Sequence, residues 1–171
     1  MHISVPLCAM NKEEAKEKIK DIVGKTVKLI PPTYEKDLPP TELFKDVPEW
    51  HDYEYKIWDN GERIRQILLE HKSLRKDKSL LDLFLTVALS RNAKRGRQSF
   101  IMLFEYKQCT EYAHLLVKQI DDTFVRGHII RALNRMKAGQ YVSLVMPYTM
   151  DKTAWVRNEA KRYVNQHITS E

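Results

Sequence analysis

One phrase occurs twice in the second half of the chain, and it limits the folds open to the whole sequence. Residues 121–136 read DDTFVRGHIIRALNRM, and residues 151–167 read DKTAWVRNEAKRYVNQH. Both combine an acidic turn, an aromatic residue, a Val-Arg pair and apolar residues at helical spacing. Superposing the Val-Arg pairs gives an offset of 31 residues and aligns Leu133 with Val164. Such self-similarity predicts a structure made of stacked units.

Two earlier copies extend the series toward the N-terminus. An offset of 29 residues aligns Arg126 with Arg97 and Leu133 with Phe104, and a weaker copy reaches Arg65 after a further 32 residues. The period of about 30 residues accommodates two helices and their turns. Turns of two to five residues favour antiparallel neighbours. We therefore predict an all-α fold, a short α-solenoid of about four two-helix repeats.

The start of the chain carries no copy of the repeat. Asn11 is a good N-cap and Gly24 a good C-terminal signal, so we predict a helix over about 12–23. Residues 26–30 have β-branched alternation, but no second strand pairs with them, and we expect extended chain there.

A Pro-rich segment separates this helix from the repeats. Five prolines interrupt residues 31–55, which excludes long regular structure. The segment is also rich in acids and in aromatic residues such as Trp50. We predict an ordered arm packed on the body, with a disordered linker as the alternative. Residues 1–60 then form an N-terminal helix and arm, residues 61–171 form the helical repeat body, and both fold as one unit.

Composition and charge narrow the class of protein. A chain of 171 residues with 43% hydrophobic and 30% charged residues can bury one core. It has no run of 18 apolar residues and no secretory signal at its start, so we expect a cytoplasmic protein without membrane contact. The net charge of +6 is unevenly spread, because residues 1–62 carry −4 and residues 63–171 carry +10. A basic body suits nucleic acid, an acidic protein partner or the protein's own acidic N-terminal segment.

Residues 111–167 resemble HEAT repeats, particularly the short bacterial units with an Asp-rich turn followed by Val-Arg and an Ala/Leu stripe. Residues 61–106 are a weaker match, and the first sixty residues match nowhere. The resemblance implies a solenoid whose surface binds other macromolecules. Small bacterial proteins of this appearance include immunity proteins, which neutralise a toxin delivered by a neighbouring cell, for example in contact-dependent growth inhibition.

The same resemblance implies a role for the Val-Arg arginines, which often bond the turn Asp of a neighbouring unit. Arg157 would then pair with Asp121 or Asp122. Arg126 finds no matching Asp one unit earlier in the sequence, so we expect it to be a free charge that faces a partner.

Catalytic and metal-binding motifs are missing from the sequence. The six histidines form no HExxH or HxxxH pattern, and the five glycines are not spaced as a phosphate-binding loop. Cys8 and Cys109 match no metal spacing and are expected to be free thiols. The turn acids, Asp121, Asp122 and Asp151, are better explained as helix caps than as acid–base catalysts. We expect no enzyme, no metal and no cofactor.

The expected functional feature is a surface on the second helix of each unit. Positions between the apolar stripes point outward from these helices, and the basic ones recur once per unit. An ordinary solvated surface explains them equally well. The candidate partner-binding residues, with one acid on the same face, are Trp50, Arg91, Lys94, Arg95, Arg126, His128, Arg131, Arg135, Glu159, Lys161 and Arg162.

Two functions compete for this surface. The first is a non-catalytic module that binds and inhibits a specific protein, which the resemblance above implies is a toxin domain. The second is nucleic-acid binding, because the basic face also resembles the concave surface with which HEAT-like DNA glycosylases hold the duplex backbone. Charge supports the second function, whereas four short units would form only a small cradle.

Overall fold

The structure is a computed structural model, which describes residues 10–33 and 50–168. This part of the chain is all-helical, which confirms the predicted all-α class. Cys8 and most of the predicted arm lie outside the described residues. The eight α-helices of the described part are α1 Lys12–Leu29, α2 Asp52–Glu70, α3 Lys78–Ala88, α4 Gln98–Met102, α5 Ala113–Leu116, α6 Arg126–Met136, α7 Val142–Val145 and α8 Ala154–His167.

Short 3-10 segments join or extend these helices. Lys72–Lys76 connects α2 to α3, and Arg91–Arg97 leads into α4. The segments Lys107–Tyr112 and Val117–Gln119 flank α5, and Gly139–Tyr141 and Met146–Met150 flank α7. The first helices of the later units are therefore single turns of α-helix extended by tighter turns at both ends.

Helix α1 begins where the sequence predicts. The Asn11 side chain accepts hydrogen bonds from the backbone N–H groups of Glu13 and Glu14 at 3.0 Å, and the Glu14 carboxylate accepts from the Asn11 N–H at 2.9 Å. This capping box satisfies donors that a helix start leaves unpaired, and the acids complement the positive end of the helix dipole.

The predicted end of α1 is wrong. The helix passes through Gly24 and continues to Leu29, so residues 26–29 are helical and only Ile30 is extended. Thr26 is buried, and its hydroxyl donates to the Ile22 carbonyl at 2.7 Å and accepts from the Asn60 amide of α2 at 3.0 Å. Packing against α2 therefore outweighs the local C-terminal signal.

Helix α2 begins at Asp52, well before the onset of clear helical periodicity at Asn60. Glu54, Ile57 and Ile64 are fully buried, and together they place one face of the helix against the core. The predicted boundary at residues 60 and 61 therefore falls inside a continuous helix. Residues 52–60, which the sequence assigns to the Pro-rich arm, form the first turns of this helix.

The helices pack in a regular order. Helix α1 contacts α2 and α3, and the second helices form a row in which α2 packs on α4, α4 on α6, and α6 on α8. Each second helix also contacts the first helix before it, as with α5 and α6 or α7 and α8. The core lies between the two series of helices, where Phe84, Phe100, Phe104 and Leu133 are fully buried.

Arginines and aspartates join successive units, in the opposite direction to the one predicted. Arg97 is fully buried, its guanidinium forms an ion pair with Asp122 in the next unit, and it donates to the Gln119 side chain at 3.1 Å. One unit later, Nη1 of Arg126 lies 2.9 Å from Oδ2 of Asp151. Each arginine thus reaches forward to the following turn.

Two predictions about these arginines are wrong for this reason. Arg126 is not a free charge, since it pairs with Asp151, donates to the Ile120 carbonyl at 2.9 Å and stacks 4.4 Å from the Tyr148 ring centroid. Arg157 does not pair with the acids at 121 and 122. It donates instead to the Asp151 carbonyl of its own turn at 2.7 Å.

Candidate functional site

A groove runs along the row of second helices and holds a cavity of about 500 Å³. We call it the arginine groove. Its walls come from the end of α4 and the segment after it, from α6, and from α8. The lining residues are Glu105, Tyr106, Lys107, Arg131, Asn134, Arg135, Lys137, Glu159, Arg162 and Gln166. A smaller cavity of about 220 Å³ continues it toward α2 and adds Arg65 and Met102.

The repeat explains why these side chains face the same space. Met102, Arg131 and Arg162 each stand five residues after the repeated arginine of their unit, and all three line the groove or its continuation. Positions related by the repeat lie side by side when second helices stack. A surface of this kind is therefore built from one sequence position per unit.

Carboxylates alternate with the arginines of the groove. Nε of Arg131 lies 3.3 Å from Oε2 of Glu105, which joins α6 to the segment after α4. Nη1 of Arg162 donates to Oε1 of Glu159 at 2.7 Å within α8. Glu159 is only 5% exposed, so the prediction that it points outward is wrong. The two pairs hold the guanidinium groups in fixed orientations along the groove.

Two groups in the groove keep unused hydrogen-bonding capacity. Oε1 of Glu105 is buried without a hydrogen-bond partner, and burial raises the pKa of this carboxyl while Arg131 and Arg135 oppose the shift. Arg135 is exposed and forms no hydrogen bond or ion pair with any residue that the structure describes. Arg135 therefore offers an accessible charged donor to a ligand, whereas Oε1 of Glu105 is an unsatisfied acceptor with almost no accessible surface.

The residues that the sequence predicts to bind a partner fall into two groups, one in this groove and one elsewhere in the fold. Arg131, Arg135 and Arg162 come together in the groove, as the sequence suggested. Arg91, Lys94, Arg95 and Arg126 lie at or before the starts of the second helices, on segments that do not line the groove.

The residues before α4 take part in contacts within the protein. Arg91 pairs with Asp121 at 2.7 Å, and Arg95 stacks 4.6 Å from the Phe124 ring centroid. Lys94 is 8% exposed, has a left-handed φ of 45°, and its Nζ lies 5.7 Å from the same ring. Arg95 also lies 3.9 Å from Glu54, a fully buried carboxylate. These cations stabilise the joint between units.

His128 and Trp50 are also engaged within the protein. The His128 ring is half-buried and packs 4.8 Å from the Trp155 ring centroid, between α6 and α8. Burial lowers its pKa to about 4, with Arg131 acting in the same direction. Trp50 packs edge-on against Trp58 of α2, with 6.5 Å between ring centroids.

Lys161 lies on the outer face of the last described helix. It stands four residues after the repeated arginine, at the position that Ile101 and Ile130 hold in the two earlier units. Both isoleucines are fully buried, whereas Lys161 is exposed. A lysine at this position keeps this face of α8 polar. It does not line the groove.

Sequence reasoning missed several lining residues, namely Glu105, Tyr106, Lys107, Lys137 and Arg65. Glu105 and Tyr106 occupy the positions of Asn134 and Arg135 in the preceding unit, so the repeat frame contained the signal for both. Lys137 carries no such signal. It ends α6 in a left-handed conformation, with φ 62°, which turns the chain at the rim of the groove.

The described residues contain no membrane-spanning helix and no cluster of metal ligands. No described helix is long and apolar enough to cross a membrane. No group of three or more metal-ligating side chains occurs among residues 10–33 and 50–168. Cys109 is buried, and burial raises its pKa to about 11, so this thiol is a packing residue.

The chain was compared with models of protein families, with curated proteins and with solved structures. None of the three comparisons gives a match.

Proposed function

We propose that this protein is a non-catalytic protein-binding module, built as a short α-solenoid of HEAT-like two-helix units. The row of second helices and the forward arginine–aspartate joints support the solenoid arrangement. The binding surface is the arginine groove, in which side chains from three second-helix segments converge. Stacked units supply a preformed surface that loses little conformational entropy when a partner docks.

One observation carries the choice of a protein as partner. The groove contains both an unpaired cation, Arg135, and a buried carboxylate oxygen without a donor, Oε1 of Glu105. A polypeptide offers carboxylates for the first and N–H groups for the second. The phosphodiester backbone of DNA offers acceptors alone, and it would bring further negative charge to Glu105 and Glu159.

The biological role that we propose is inhibition of a specific protein toxin in the cytoplasm. Its support is the likeness of the repeated segments to small HEAT-type immunity proteins, together with a binding groove in which no catalytic group is needed. An immunity protein has to present a rigid surface to one target, and the paired arginines of the groove are oriented in advance.

Site-specific photo-crosslinking in living cells tests the proposal. A photoreactive residue replaces Arg135 in one variant and Lys118, an exposed residue outside the groove, in a matched control. We expect a discrete adduct from position 135 that survives nuclease and disappears with protease, and none from position 118. An adduct removed by nuclease, or equal adducts from both positions, would contradict a protein-binding groove.

Nucleic-acid binding is the second candidate, favoured by the charge of the groove. Six cations and two acids line the groove and its continuation, which leaves an excess of positive charge. Phosphate binding would weaken steeply and uniformly between about 50 and 200 mM salt, by a slope close to the number of neutralised phosphates. Polarisation of labelled DNA and RNA over this range therefore separates the two functions.

A further inference from the structure

The unpaired positive charge of the arginine groove comes from three of its lining residues. Arg131 and Arg162 are neutralised locally, because each pairs with a carboxylate of the groove. The remaining cations are Lys107, Arg135 and Lys137, which are exposed and form no ion pair among the described residues. We call these three residues the basic rim. A ligand that binds there has to bring negative charge.

Glu105 sets a second requirement beside the basic rim. Its side chain is 13% exposed, and Oε2 is held by Arg131 at 3.3 Å, while Oε1 is buried without a donor. Oε1 has almost no accessible surface in the free protein, so a ligand N–H group reaches it only when the Glu105 side chain turns toward the groove. That contact removes the cost of a buried acceptor left unpaired, so a ligand that supplies it gains affinity. The ligand therefore has to be a donor and an anion within a short distance.

We propose that the arginine groove binds an acidic polypeptide segment. A carboxylate of the segment pairs with Arg135 and the lysines of the basic rim, while one of its N–H groups donates to Oε1 of Glu105. This inference rests on the proposed function of the chain as a protein-binding module, and it specifies the chemistry of the partner at that site.

Other ligand classes satisfy the groove only in part. A phosphate backbone neutralises the basic rim but offers no donor to Glu105 and is repelled by Glu159. A basic segment supplies donors to Glu105, yet it is repelled by the basic rim and by Arg65 in the continuation of the groove. An apolar segment leaves both charged groups unpaired and desolvated. An acidic polypeptide meets both requirements at once.

Titration of the isotope-labelled full chain with model peptides tests the proposal. The probe is a short peptide of alternating Glu and Ala with blocked ends, compared with the matching Gln and Ala peptide and with a short DNA duplex. We expect chemical-shift changes at the arginine side chains and backbone of the groove, with the Gln peptide at least about tenfold weaker, as when a charged hydrogen bond is lost. Equal binding of both peptides, or tighter binding of the duplex at the same residues, would overturn the inference.

Substitutions at Arg135 and Glu105, the residues that set the two requirements on the ligand, sharpen this test. Arg135→Gln is expected to weaken the acidic peptide about tenfold, whereas Lys118→Gln, outside the groove, leaves the affinity unchanged. Glu105→Gln keeps an acceptor oxygen and Glu105→Leu removes it, while both remove the charge. We expect the Leu variant to bind roughly three- to tenfold more weakly than the Gln variant, the difference made by one hydrogen bond.

Two results of these binding measurements would contradict the inference that the groove binds an acidic segment. Equal affinities for the Gln and Leu variants at position 105 would show that Glu105 accepts nothing from the ligand. No response to the acidic peptide would remove the acidic segment as the occupant of the groove, even where photo-crosslinking at position 135 still yields a protein adduct. The proposed function therefore survives or fails separately from the identity of the bound segment.

Discussion

At Arg97 and Arg126, the repeated arginine connects two units rather than serving as a surface charge. Arg97 loses all contact with water, and its guanidinium is compensated by Asp122, by the Gln119 side chain and by the Ala88 carbonyl at 3.4 Å. Asp122 also accepts from the Phe124 N–H at 2.9 Å, which orders the turn before α6. A buried ion pair of this kind is expensive to break, because removing one partner leaves the other desolvated.

The variants Arg97→Leu and Arg157→Leu together test whether the repeated arginine stabilises the protein by connecting units. Arg97→Leu strands the carboxylate of Asp122, so we expect the unfolding free energy to fall by about 3 kcal/mol or more. Arg157 has no aspartate of a following unit among the described residues, and we expect its loss to cost less than about 1 kcal/mol. Urea unfolding followed by circular dichroism measures both, and similar costs would refute the connector role.

The contact between α6 and α8 depends on a glycine facing a tryptophan. A Cβ atom at Gly127 would lie 2.0 Å from the Trp155 ring, which in turn packs on His128. Gly24 in the middle of α1 is the opposite case, because a Cβ there meets nothing within 4 Å. One glycine is thus required by packing, whereas the other only adds flexibility to the unfolded chain.

Alanine at these two positions should shift stability in opposite directions. We expect Gly127→Ala to destabilise the protein by about 1–3 kcal/mol, because the Trp155 ring, although 39% exposed, has to give up its contact with α6 and His128. Gly24→Ala should stabilise it by about 0.4–1 kcal/mol. Thermal and urea unfolding of both variants decide the matter, and a Gly127→Ala variant as stable as the wild type would show that Trp155 is free to rearrange.

The same helix contact makes the protein sensitive to acid. The pKa of His128 falls from its usual 6.5 to about 4 because burial and Arg131 disfavour the charged ring. The unfolded chain therefore binds more protons between these values, so stability decreases as the pH falls from about 6.5 to about 4, by up to about 3 kcal/mol. Burial and Lys137 lower the pKa of His167 as well, which adds to the same trend.

A single substitution isolates the contribution of His128. We expect His128→Gln to flatten the fall in unfolding free energy between pH 6.5 and pH 4, and His114→Gln, at an exposed position of α5, to keep the wild-type slope. Urea midpoints measured across this pH range provide the comparison. Parallel curves for all three proteins would show that His128 takes up its proton over the same pH range in the folded and the unfolded state.

Over the whole molecule, the alignment of repeated positions predicts more of the structure than local helix signals do. The all-α class and the meeting of Arg131, Arg135 and Arg162 on one surface follow from the spacing of residues along second helices. The start of α1 follows from its Asn11 N-cap. Helix limits near residues 24 and 52 did not follow, since tertiary contacts of Thr26 and Glu54 decide them.

The other wrong predictions from the sequence concern which arginine pairs with which aspartate between units. Spacing alone shows that an arginine and an aspartate recur, but it does not reveal whether the arginine reaches backward or forward to its partner. The structure resolves this for Arg97 and Arg126, and so moves Arg126 from the candidate surface into a joint. Glu105 was missed although it stands at the repeat position of Asn134, and its contact with Arg131 on the next helix places it in the groove.

The central claim, that the arginine groove is the partner-binding surface, is tested most directly by charge reversal at Arg135. Calorimetry would measure the affinity of the partner captured by crosslinking for the wild type, for Arg135→Glu and for Lys118→Glu. We expect Arg135→Glu to weaken binding by about a hundredfold or more, as reversal of a charged anchor does, and Lys118→Glu to change it less than about threefold. Unchanged affinity in Arg135→Glu, or equal losses in both variants, would contradict the claim.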